Sequence, residues 1–169
     1  MTNLNLKLRP WNEEKDLDNL VHLANNPRIA ERLMNRFPHP YSIEDGKRFI
    51  HAANASDPPH VLAIDLLGQA IGGIGVHPLE DVFAKNAEMG YWLGEPFWNK
   101  GYGSLAIELM IRYAFDHLPI QRIFARPFGT NTASQRVLEK CGFQLEARLK
   151  GTVYKNGKYD DELIYAVRR

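Results

Sequence analysis

A chain of 169 residues, 44% apolar and 24% charged, is long enough to bury its own core and is neither disordered nor collagen-like in composition. Its formal net charge of +1 gives no bulk attraction to nucleic acid or to an anionic membrane surface. Cys141 is the single cysteine, which excludes an internal disulfide and a zinc site built from several thiolates.

In chain order, the opening MTNLNLKLRPWNEEKDLDNL has no apolar stretch of the kind a secretory leader carries. No apolar run nears the roughly 20 residues of a membrane span, so a soluble cytoplasmic chain is expected. LNLKLR, residues 4–9, alternates as a first strand and Pro10 closes it. Asn12 is placed to cap a helix over EEKDLDNLVHLAN, with acidic residues in its first turn. A second helical stretch, RIAERLM, follows Pro27, and Ser42 with Asp45 opens a third, IEDGKRFIHAANA, which Pro58 and Pro59 end. HVLAIDLL and AIGGIGVHP read as strands around a turn near Gly68, and KNAEMGYWLG is extended. A helix then runs from NKGYGS to about His117, followed by the short strand RIFARP and a helix from Asn131 to Gly142. FQLEARLKGTVYK and KYDDELIYAVRR form a hairpin about Asn156-Gly157. The order implies one α/β (α+β) domain over residues 1–169, a mixed sheet with helices on its faces.

NKGYGS is the segment with the most chemistry. On the helix that follows, Ser104, Glu108, Arg112 and Asp116 form a polar stripe, and Leu105, Leu109, Met110, Tyr113 and Ala114 cover the buried side. A helix start on the sheet exposes free N–H groups and a partial positive charge, and glycine lets a ligand approach the backbone. An anion cradle and a plain glycine turn both fit. The P-loop spacing is absent. Gly101, Gly103 and Ala106 meet a dinucleotide spacing, but no acidic residue ends RIFARP to hold a ribose. A coenzyme A pyrophosphate loop is the third reading.

EMGYWLGEPFWNKGYGSLAIELMIRYAF and RIFARPFGTNTASQRVLEKCGF resemble the GNAT acetyltransferase superfamily, and its RimL-like, ribosomal-protein N-terminal acetyltransferase branch in particular. LRPWNEEKDLDNL and GTVYKNGKYDDELIYAV are similar to the same branch. Gly101 and Gly103 match the family loop Gln/Arg-x-x-Gly-x-Gly/Ala, with Trp98 at its first position. The resemblance implies a mostly antiparallel sheet and acetyl-CoA as co-substrate, without a metal. It implies a pyrophosphate held by Lys100, Gly101, Tyr102, Gly103 and Ser104, and a pantetheine arm along the strand near Leu93 and Gly94. The thioester would lie where that strand and RIFARP splay apart.

Alternation in AEMGYWLG sets Glu88, Gly90, Trp92 and Gly94 on one face, a carboxylate beside an open slot. An amine attacking a thioester must lose a proton, so Glu88 is the candidate base, against its plainer reading as a solvated strand residue. Asn131 and Ser134 form N-x-x-S at a helix start. An ordinary cap is one reading. The resemblance implies that Asn131 holds the pantetheine and Ser134 serves the sulfur. The family's tyrosine acid falls at Leu138, so that acid is missing. The histidines are scattered, without metal-ligand spacing. Trp11, Phe37, Tyr41, Trp92 and Tyr159 could be core or line an acceptor pocket. The expected acceptor is a small-molecule amine or a protein N-terminus, with no nucleic acid or membrane partner, and the chain a monomer or homodimer. A module that binds acyl-CoA without transfer is the alternative.

Overall fold

The computed structural model describes residues 5–169. Its strands are β1 (Leu6–Arg9), β2 (Val61–Leu66), β3 (Gln69–Pro78), β4 (Asn86–Leu93), β5 (Arg122–Ala125), β6 (Gln144–Lys155) and β7 (Lys158–Arg168). Its helices are α1 (Glu13–Ala24), α2 (Pro27–Ala30), α3 (Ile43–Ala53), α4 (Tyr102–His117) and α5 (Thr132–Lys140). Leu4, the first residue of the expected opening strand, lies outside the described residues.

Local chemistry accounts for the element ends. Asn12 accepts from the Lys15 amide, and Ser42 and Asp45 close a full capping box. Asn156 and Gly157 take φ of 52° and 76°, the left-handed pair that a two-residue hairpin requires. The helix expected over RIAERLM is shorter, ending at Ala30. Past Ala30 the chain runs in tight turns, with Leu33 N–H donating to the Ala30 carbonyl at 3.2 Å, and the Ala30 and Leu33 carbonyls also accept from Lys155 Nζ.

The seven strands lie in the order β1-β2-β3-β4-β5-β7-β6. Every pair is antiparallel except β4 and β5, which run parallel. That parallel pairing covers only Asn86↔Arg122, Ala87↔Ile123 and Glu88↔Phe124. Beyond it β4 continues to Leu93 beside β3, while β5 turns away with β7, and the sheet opens between them.

One core fills each face. Ile107, Met110 and Ala114 of α4 and Leu138 of α5 are buried against Ile74, Val76, Met89 and Ile123. Leu20 and Leu23 of α1 and Ile50 of α3 pack on the other face with Trp11, Ala63 and Trp92. Each such large side chain contributes about 1.5–3 kcal/mol. The polar stripe expected on α4 is interrupted: Ser104 is buried, and its carbonyl accepts from Cys141 Sγ at 3.4 Å. At the sheet's first edge Arg9 bonds Asp16 at 2.7 and 2.8 Å and Asp65 at 2.6 Å, tying β1, α1 and β2 through two buried carboxylates.

Candidate active site

The loop before α4 is built to leave donors free. Asn99 and Gly101 take left-handed φ of 59° and 81°, and Gly101 stands at the helix N-cap with no side chain capping it. The first helical bond is Leu105 N–H to Gly101 C=O, so the amides of Tyr102, Gly103 and Ser104 have no helical acceptor. A Cβ at Gly101 would meet nothing within 4 Å, and one at Gly103 would meet only Val137 at 4.0 Å. The space in front of the donors is open, and exposed Lys100 borders it. Trp98 points inward. Its indole N–H donates to the Leu93 carbonyl at 2.7 Å, and the Arg28 and Arg32 guanidiniums lie over its ring.

Register decides which edge of β4 is free. Gly94 N–H bonds Ile71 C=O across the sheet. By antiparallel alternation Trp92, Gly90 and Glu88 also turn their amides toward β3, and Tyr91 and Leu93 turn theirs toward the split. The Leu93 carbonyl is taken by Trp98, which leaves its N–H facing the opening. Gly94 differs from its expected part. Its N–H serves Ile71, its C=O accepts from Phe97 N–H, and a Cβ there would press on Leu23 at 2.9 Å. That glycine answers to helix packing and has no backbone group aimed at the split.

Glu88 stands where the split begins. Arg126, just past β5, donates to both its oxygens at 2.9 and 3.0 Å and reaches Glu162 of β7 at 3.3 Å. The hydrogen bonds to Glu88, against partial burial, raise the Arg126 guanidinium pKa and keep it charged. His77 is the cross-strand partner of Glu88. Burial and nearby Arg36 push the imidazole pKa down, Glu88 pulls it up, and the net direction is down, toward the neutral ring. Gly75 pairs with Gly90 beside them, and nothing lies within 4 Å of a Cβ built at Gly90, so the floor next to Glu88 is bare backbone. Beyond Arg126 opens a cleft of about 280 Å³ lined by Met34, Phe128, Thr152, Val153, Tyr154 and Glu162.

Asn131 caps α5 by accepting from Ser134 N–H at 3.3 Å. The Ser134 hydroxyl meets the Tyr91 hydroxyl at 2.5 Å. Burial pushes the Tyr91 phenol up to about 12, with the Ser134 bond opposing. Leu138 is fully buried.

The split thus gathers Glu88, Leu93, Asn131 and Ser134, with the loop from Lys100 to Ser104 at its head. Arg126, Glu162 and Tyr91 join them without any signal in sequence spacing. Trp11, Tyr41 and Trp92 are core, while Tyr159 is exposed beside Tyr154 on the hairpin. Among the described residues no group of three or more His, Cys, Asp or Glu could hold a metal, and no helix is long and apolar enough to cross a membrane.

An uncapped helix start facing a split parallel strand pair agrees with comparison to known proteins. Residues 5–144 match the acetyltransferase (GNAT) domain family. This chain is a member of the GNAT acetyltransferase family. The uncharacterized N-acetyltransferase YoaA of Bacillus subtilis is 37% identical over 99 residues, which are 59% of this chain and 55% of that protein. The ribosomal-protein-serine acetyltransferase of Escherichia coli is 33% identical over 98 residues, 58% of this chain and 54% of that one. The chain therefore spans about half the length of these two curated relatives. RimL, a ribosomal L7/L12 alpha-N-protein acetyltransferase solved in complex with coenzyme A, superposes with a TM-score of 0.84 at 23% identity, covering 99% of this chain and 95% of that one. This GNAT chain has the same fold.

Proposed function

We propose that this GNAT chain is, as one domain, an acetyl-CoA-dependent N-acetyltransferase that moves the acetyl group to a primary amine by direct attack in a ternary complex. The observation that carries the proposal is the split edge of β4, with the Tyr91 and Leu93 amides turned into it, leading to the uncapped start of α4. An extended amide-bearing arm can pair with that edge, and its pyrophosphate can take the amides of Tyr102, Gly103 and Ser104 with Lys100 beside them. Asn131 and Ser134 close the site from α5.

The amine enters from the cleft beyond Arg126 and meets the thioester above the bare Gly90. Glu88 takes its proton, directly or through one water, since each carboxylate oxygen keeps a lone pair beyond the one given to Arg126. The nitrogen adds to the carbonyl carbon, and the oxyanion accepts from a backbone N–H near Leu93. The carbon–sulfur bond then breaks, the electron pair stays on sulfur, and Ser134 donates to it.

A protein N-terminus is the proposed acceptor, with a cytoplasmic site of action; the Escherichia coli relative, named a ribosomal-protein-serine acetyltransferase, supports a protein as acceptor. Calorimetric titration with acetyl-CoA, against NAD and ATP, tests the cofactor; micromolar binding with silent controls is expected. A panel of peptides with free N-termini and small amines, followed by thiol release, then tests transfer. Binding without release on any member would refute the transferase and leave an acyl-CoA-binding module.

A further inference from the structure

We propose that the Tyr91 hydroxyl is a positioning group for the departing thiolate, orienting the Ser134 O–H so that its hydrogen points at sulfur as the carbon–sulfur bond breaks. This rests on the reading that a thioester occupies the split.

The geometry carries it. Tyr91 comes from the part of β4 beyond its pairing with β5 and Ser134 from α5, and their hydroxyls meet at 2.5 Å. A serine hydroxyl has one hydrogen and two lone pairs. If Tyr91 donates to Ser134 Oγ, the serine hydrogen remains available for a second partner. If Ser134 donates to Tyr91, that hydrogen is consumed. The phenol is the more acidic hydroxyl and hence the better donor, and its burial keeps it protonated at neutral pH. The Ser134 amide is already committed to Asn131, which fixes the serine backbone and leaves rotation about its side chain as the freedom to be removed. The other hydroxyl on α5, Thr132, is exposed, and the inward residue one turn beyond Ser134 is Leu138, so Ser134 is the hydroxyl that α5 turns toward the core.

The hydroxyls act as hydrogen-bond donors and not as proton sources. A phenol near 12 does not hand its proton to a thiolate whose own acid lies near 8.5. When the carbon–sulfur bond breaks, sulfur keeps the pair, Ser134 shares its hydrogen with it, and Tyr91 remains a phenol. The proton that sulfur finally takes comes from solvent, balancing the one the amine gave to Glu88.

The thiol of bound coenzyme A reports this without an acceptor amine. Coenzyme A is added to excess over the full chain, and its ultraviolet thiolate absorbance is followed against pH after subtraction of the free protein and free coenzyme A. Tyr91→Phe keeps the ring and removes only the hydroxyl. It is expected to raise the apparent thiol pKa by about half a unit to one unit, with coenzyme A affinity changed less than about threefold. Ser134→Ala raises it at least as far, and the double variant matches Ser134→Ala alone, because the Tyr91 effect passes through Ser134. A Tyr91→Phe thiol pKa equal to wild type, or a double variant equal to the sum of the singles, overturns the proposal. Failure of wild-type chain to bind coenzyme A overturns it together with the transferase reading, whereas binding with an unmoved pKa overturns the Tyr91 role alone.

Discussion

Gly101→Ala separates a site from a turn. Gly101 has φ of 81° and ψ of −3°, a conformation that costs an L-residue about 1–2 kcal/mol. A Cβ there meets no protein atom within 4 Å, so no clash adds to that cost. For a chain of this size the melting temperature should fall by about 2–8 °C. Acetyl-CoA affinity should fall far more. The new methyl stands in the open space where a phosphate would meet the Tyr102, Gly103 and Ser104 amides. Charge-assisted hydrogen bonds contribute about 1.5–3 kcal/mol each, so weakening two costs about 3–6 kcal/mol, or roughly a hundred- to ten-thousand-fold in Kd. Gly157→Ala is the control, with φ of 76°, equally open space and a place at the tip of the β6–β7 hairpin. It should show the same melting shift with unchanged affinity. Calorimetry and thermal melts on the two variants give both numbers. An acetyl-CoA Kd within threefold of wild type in Gly101→Ala would refute the phosphate cradle and reduce NKGYGS to a helix-starting turn.

Glu88→Gln should keep acetyl-CoA affinity while turnover on the best acceptor falls by about a hundred- to ten-thousand-fold at neutral pH; unchanged turnover removes Glu88 as base. Arg9→Met leaves Asp16 and Asp65 buried without their cation and should cost about 3–5 kcal/mol in urea unfolding at pH 7. Burial pushes both carboxyls up, but bonding from Arg9 and from backbone amides outweighs it, so their folded pKa values lie below the ordinary 3.8. Wild-type stability is therefore full above that value and declines as pH falls through the lower folded values. In Arg9→Met burial stands unopposed by the guanidinium, the folded pKa values rise, and stability should increase on acidification from pH 7; the same decline in both proteins would count against the pairing. Trp98→Phe orphans the Leu93 carbonyl and should cost about 1–3 kcal/mol with little change in phosphate binding, whereas a large loss of coenzyme A affinity would make Trp98 a ligand.

Much of the fold was readable because its signals are local. Asn12, Ser42 with Asp45, and Asn156-Gly157 each mark an element end within a few residues, and each holds. Alternation along β4 separated the core face of Ala87 and Met89 from the open face of Glu88 and Gly90. What escaped depends on distant partners. Arg126 lies 38 residues from Glu88 and 36 from Glu162, and no spacing rule links them. The family resemblance put Gly94 beside the pantetheine arm; the group that packs on it is Leu23 of α1. Ser104 counted as polar on a helix whose neighbours decided otherwise, and beyond Ala30 the chain leaves α2 for tight turns whose carbonyls meet a lysine far along the chain.

That lysine has a kinetic meaning. Lys155 closes on Ala30 and Leu33 across 125 and 122 residues, so this tie cannot form until nearly the whole intervening chain is in place. Local turns and the β2–β3 and β6–β7 hairpins can assemble early, on short loops. Docking of the β6–β7 hairpin, with Thr152, Val153 and Tyr154, against the segment after α2 belongs to the slow, long-loop part of assembly. Refolding followed by amide protection would see the hairpins protected early and the segment 30–33 settle against Lys155 last, so the cleft between them is completed at the end of folding.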